Sequence, residues 1–217
     1  SDIDLHIILS ENAGYKERGN EYVDGFLVEY FANPISSHKE YLEEELEERT
    51  KETIHMFLTG KVLFDKAGNL SKFISEVKKL DKKQFKPAKK GFPSEIKKYA
   101  LWDMLDDLEG IYEKGSFDFY HVYYNFLGNV LWNYLGFLGF QDIPSSRVGS
   151  FFSEKKTQEK YRIPEFPDKE FVKLYIKAMK LEDKEKMMKN YKKLTKHCHN
   201  KMGFKGIDGW KVRTKLK

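Results

Sequence analysis

The sequence predicts an α+β protein in which a small mixed sheet unit precedes a helical one. Three observations carry that expectation. Residues 1–80 alternate between β-rich runs and amphipathic stretches. Residues 78–90 hold seven lysines, with Pro87, Gly91 and Pro93 among or just beyond them. Beyond Ser94 every periodic segment repeats at helical spacing.

The first strand is expected in SDIDLHII, Ser1 to Ile8. Its alternation puts Ile3, Leu5 and Ile7 on one face, read as core, and Asp2, Asp4 and His6 on the other. A polar stretch, SENAGYKERGN, separates it from two β-rich runs, EYV and FLVEYF, around Asp24-Gly25. That dipeptide between alternating residues predicts a hairpin. Asn33-Pro34 closes the second run, and Ser36 or Ser37 is placed to cap a helix through HKEYLEEELEER. TIHMFLTG reads as a helix ending at Gly60, KVLFD as a short strand, and LSKFISEVKKL as a helix.

The expected organisation is therefore a sheet unit over residues 1–80, a basic linker over 81–93 and a helical domain over 94–217. Within the last, helices are predicted at 95–114, 117–140, 168–181 and 182–202, with IPSSRVG and YRIPEFPD as loops. The run from Phe119 to Gln141 has a membrane-scale length, yet holds His121, three asparagines and four tyrosines. It is read as a helix buried all round in a protein without a membrane span.

Composition narrows the function classes. With 40% hydrophobic and 15% aromatic residues the chain has ample material for a core and is not disordered. A formal charge of +5 permits an acidic partner without requiring one. The lone Cys198 excludes an intrachain disulfide and fits a reducing compartment, the cytoplasm. His197 and His199 point away from it on a helix, so a solvent-facing or half-buried thiol is expected there, with no zinc site.

Aspartates two apart on a strand share one face, about 6.6 to 7 Å apart, and can converge on one hard cation. Glu29, in the middle of FLVEYF, is the candidate third carboxylate. Such oxygen-rich sets hold Mg²⁺ together with substrate phosphates and point to phosphoryl or nucleotidyl transfer. On spacing alone the same residues also suit a solvated edge-strand face.

SDIDLHII resembles the second half of the nucleotidyltransferase signature of the DNA polymerase β superfamily, in which a Gly-Ser turn lies roughly ten residues before [S/D]-D-[I/L]-D-[L/I]. GFLVEYF with the acidic helix after it, HMFLTGKVLFDKAGNLSKFISEVKK and the C-terminal HNKMGFKGIDGWKVRTKLK resemble the aminoglycoside (kanamycin) nucleotidyltransferases in order and character. The resemblance implies a nucleotidyltransferase-type sheet domain, N-terminally incomplete, before a helical bundle. It makes Asp2, Asp4 and Glu29 Mg²⁺ ligands and Ser1 a nucleotide contact. It also places a general base on the first long helix of the second domain, at Asp107 in LDDLEG, with Asp106 one residue away.

The implied substrates are a nucleoside triphosphate, ATP foremost, and a small-molecule hydroxyl, with a homodimer as the implied assembly. Two departures stand out. The Gly-Ser turn is absent, so residues upstream of Ser1 are expected. The lysine that the family places one turn after its base is replaced by Ile111, the nearest basic residue being Lys114.

Six glutamates in EYLEEELEER would attract a cationic, aminoglycoside-like acceptor and repel nucleic acid. They equally suit a solubilising helix face. A nucleotidyltransferase acting on protein or RNA, and a catalytically inactive binding module, remain as alternatives.

Overall fold

The computed structural model describes residues 3–83, 85–87 and 90–214. The chain divides into two compact units, Ser1–Lys83 and Gln84–Lys217. Ser1 and Asp2 lie outside the described residues.

Among its described residues the first unit is a three-stranded mixed sheet with three helices. Strand β1 (Ile3–Leu9) is followed by β2 (Glu17–Val23) and β3 (Phe26–Pro34), arranged β1-β3-β2. β2 and β3 form the expected hairpin, antiparallel and in register from Val23↔Phe26 to Glu17↔Ala32. Asp24 and Gly25 both have positive φ, 51° and 82°, as a tight two-residue hairpin turn demands. The twist-matched turn extends pairing through Glu17–Asn20, which the sequence reading leaves in a polar loop. β3 then returns beside β1 in parallel.

Helices α1 (Ile35–Glu48), α2 (Glu52–Thr59) and α3 (Asn69–Asp81) complete the unit. Their core is Leu42, Ile54, Phe57, Phe73 and Val77, with Ile8, Ile35 and Leu46 packed against it. Ile8 belongs to the same strand face as Asp4 and His6. The expectation that Ile3, Leu5 and Ile7 form the core face is therefore corrected. Ile3 and Ile7 are 49% and 42% exposed, because the helical core reaches β1 through Ile8.

Three further expectations in this unit change. α1 begins after Pro34 with no side-chain cap; Glu11 from the β1–β2 loop accepts the Ser36 amide hydrogen at 3.1 Å instead. Glu45, one of the six glutamates, is drawn inward. Burial pushes its pKa up, while its carboxylate accepts the Thr53 amide and hydroxyl hydrogens at 2.9 and 2.6 Å. KVLFD is not a strand: Val62, Leu63 and Phe64 are exposed, and Asp65 accepts from Ser71 at the start of α3.

The second unit is helical. Its elements are α4 (Phe92–Glu113), α5 (Phe119–Leu138), α6 (Val148–Ser153), α7 (Lys155–Tyr161), α8 (Lys169–Lys180) and α9 (Lys184–Met202). Two of them, α6 and α7, are too short to show periodicity, and α6 with a preceding 3-10 turn occupies much of the expected IPSSRVG loop. Asp168 and Asp183 cap α8 and α9, accepting the Phe171 and Lys186 amide hydrogens at 3.0 and 2.9 Å.

α5 buries Tyr123, Leu127, Val130 and Tyr134 along one stripe of the core. Its other side is open, with Tyr120, His121, Tyr124, Asn125 and Trp132 exposed, so the all-round burial expected from its composition does not occur. His121, Asn125 and Asn129 account for the difference, since unpaired polar groups are costly inside a core; Asn133 is buried but donates to the Asn129 carbonyl. Cys198 is fully buried rather than solvent-facing or half-buried, and burial pushes its thiol pKa up. Among the described residues no helix is long and apolar enough to cross a membrane.

Candidate functional site

Among the described residues two groups of chemistry-bearing side chains stand out, one in each unit. On the sheet, register decides which residues meet. The parallel β1–β3 pairing sets Asp4 beside Glu29 and His6 beside Phe31. The antiparallel β2–β3 pairing sets Asn20 beside Glu29 and Arg18 beside Phe31. Paired residues in a sheet project to the same face, so one face carries two rows, Asp4–Glu29–Asn20 and His6–Phe31–Arg18.

The second row is a stack. The His6 and Phe31 rings lie 5.0 Å apart and 11° from parallel, and the Arg18 guanidinium sits 4.7 Å from the Phe31 centroid. From there Arg18 reaches into the first row. Its Nε–H donates to Glu29 Oε1 at 2.9 Å, and its Nη2 donates to the same oxygen. Burial lowers the His6 pKa, partly opposed by the nearby Asp4 carboxylate.

Asp4 and Glu29 are thus brought together on neighbouring strands. Among the described residues no group of three or more His, Cys, Asp or Glu is placed to hold a metal ion. Two carboxylates alone still suit Mg²⁺, which commonly binds through one or two carboxylates with water and substrate phosphates completing its shell. Arg18 and Asn20 are absent from the sequence reading. The tight Asp24-Gly25 turn was the signal that could have found them, since counting back from it fixes the partners of Glu29.

In the helical unit, α4 and α5 enclose an open cleft of about 530 Å³. Its lining includes Asp106, Asp107, Lys114, His121 and Asn125, over an apolar surface of Ile111, Val122 and Phe126. Asp106 and Asp107 both face it, so either carboxylate is available to a bound molecule. Ile111 stands where the resemblance leads one to expect a lysine, and Lys114 lines the same cleft. His121 and Asn125 follow helical spacing on the exposed side of α5, a stripe visible once that helix is seen as amphipathic.

Comparison with family models and with curated proteins gives no match. Among solved structures, the chain is similar to a nucleotidyltransferase-like protein from Exiguobacterium sibiricum 255-15, with a TM-score of 0.47 and 13% identity. The similarity covers 91% of this chain and 61% of that one, so this chain spans less than two thirds of that protein's length.

Proposed function

We propose that the chain belongs to a Mg²⁺-dependent nucleotidyltransferase that moves a nucleoside monophosphate from a triphosphate, ATP foremost, to a hydroxyl of a small cationic molecule. The observation that carries this reading is the cross-strand pairing of Asp4 with Glu29 on one sheet face. In this reading those carboxylates hold the cation, with Asp2 as a further ligand and Ser1 touching the nucleotide. Bound Mg²⁺ would neutralise phosphate charge and so favour departure of pyrophosphate.

Asp107 is assigned the acid–base role. Its carboxylate accepts the proton of the acceptor hydroxyl as that oxygen forms a bond to the α-phosphorus and the bond to pyrophosphate breaks. The cleft suits an acceptor with both amine and apolar character. Asp106 and Asp107 attract the amine, while Ile111, Val122 and Phe126 shelter an apolar face from water. A homodimer and a cytoplasmic setting belong to the same proposal.

The test is incubation with α-phosphate-labelled nucleoside triphosphates, Mg²⁺ and a panel of acceptors: aminoglycosides, other hydroxyl-bearing amines, RNA and protein. Label should pass to a small amine, and Asp4→Asn and Glu29→Gln should each abolish transfer. Undiminished transfer by Asp4→Asn would overturn the cation assignment. Label appearing on RNA or protein would replace the acceptor class.

A further inference from the structure

Glu29, the central carboxylate of the sheet face, is already engaged by a cation of the chain's own, Arg18. We propose that Arg18 is a positioning residue that makes cation and phosphate binding at this face depend on each other. The proposal rests on the reading of Asp4 and Glu29 as a divalent-cation site.

Charge placement gives the argument. Asp4, Glu29 and Asn20 form one row, and Arg18 enters it from the next by placing two N–H groups on Glu29 Oε1. With Arg18 there, a divalent cation arriving alone meets Asp4 and a Glu29 whose charge is already balanced. A polyphosphate arriving alone meets two carboxylates and a guanidinium that is already committed. When both arrive, the cation compensates Glu29 and the freed guanidinium compensates the phosphates. Each ligand then removes the obstacle to the other, which is a coupling free energy between two binding events.

The surroundings of Arg18 suit such an exchange. Its side chain is 68% exposed, against 21% for Glu29, so the guanidinium can leave the carboxylate for water while Glu29 stays in place on the sheet. It is also tethered. Phe31, braced by His6 on its strand neighbour, offers the guanidinium a cation–π contact on the same face as both carboxylates. Lysine would not reproduce this, lacking both the planar group that rests on the ring and the paired N–H donors.

The experiment measures binding without turnover. Wild type, Arg18→Gln and Arg18→Lys are titrated by calorimetry with Mn²⁺ alone and with inorganic tripolyphosphate alone. Arg18→Gln should bind Mn²⁺ about fivefold more tightly, the scale of a displaced surface ion pair, and tripolyphosphate more weakly. In protein labelled with ¹⁵N-arginine, the Arg18 Nε–H resonance, assigned by its loss in Arg18→Gln, should shift as Mg²⁺ is added. Mn²⁺ binding by wild type that Arg18→Gln leaves unchanged or weakens overturns the role of Arg18 and leaves the cation site standing. Failure of both proteins to bind Mn²⁺, with circular dichroism unchanged, overturns the cation site and this proposal together.

Discussion

Tyr134 donates its hydroxyl hydrogen to Asp168 Oδ2 at 2.6 Å inside the helical unit, and the His197 ring approaches the same oxygen at 2.8 Å. The other oxygen of Asp168 caps α8. Burial pushes the Asp168 carboxyl upward, but hydrogen bonds from Tyr134, the Phe171 amide and His197 outweigh it and hold the pKa below the ordinary value. One side chain therefore joins the C-terminal part of α5, the start of α8 and the C-terminal part of α9. Asp168→Ala removes a helix cap and strands a buried hydroxyl, and should cost about 2–4 kcal/mol in urea unfolding. Asp168→Asn, which keeps an acceptor oxygen, should cost less.

His38 predicts acid sensitivity in the sheet unit. It is 3% exposed, and neither ring nitrogen has a hydrogen-bond partner among the described residues. Burial first, then the charges of His6 and Lys16, lower its pKa from 6.5 to about 4. The unfolded chain takes up this proton near pH 6.5, whereas the folded chain resists until about pH 4. The stabilising contribution is thus complete above the unfolded value, shrinks as pH falls to about 4 and declines no further below it. The loss should reach about 3 kcal/mol. Unfolding free energies measured across this range should fall with pH in wild type and fall less steeply in His38→Phe.

Gly139 ends α5 with φ of 66°, and a Cβ there would collide with the backbone of Lys86 and Pro87. Gly139→Ala therefore meets both left-handed strain and a backbone clash. It should lower stability by about 2 kcal/mol or more, read as a drop in melting temperature. Gly128→Ala, at a helical position with open space around it, should be neutral or stabilising.

The cleft gives a kinetic prediction. If Asp107 takes the acceptor proton, Asp107→Asn should lower kcat by about 100-fold or more and leave nucleotide affinity unchanged. A larger fall for Asp106→Asn would exchange the roles of the two residues. Both substitutions lie at exposed positions on α4, so melting temperature should hardly move.

Local chemistry was legible in the sequence, and the choice of face was not. Asp24-Gly25 announces its hairpin because only a few residue types accept positive φ at two successive positions. The long helices α4, α5, α8 and α9 show in their periodicity for the same local reason. β1 is harder, because its end reads Ile7-Ile8-Leu9 and offers apolar residues to both sides. The helices after β3 settle which side is covered, and alternation within β1 does not report that. KVLFD has strand-like composition, yet a strand exists only where a neighbour supplies hydrogen bonds. Arg18 stayed hidden because ERGN looks like a loop until the hairpin ladder carries pairing through it.

The two candidate sites share a property of the chain rather than of the fold. The carboxylate face draws on residues 4–29, with two reversals, and the cleft on residues 106–126, with one, each a single stretch of chain. Closing such short loops costs little entropy, so each surface can assemble as its own segment folds. Each arrangement is encoded in a few tens of consecutive residues, short enough to vary by local substitution without consulting the rest of the molecule.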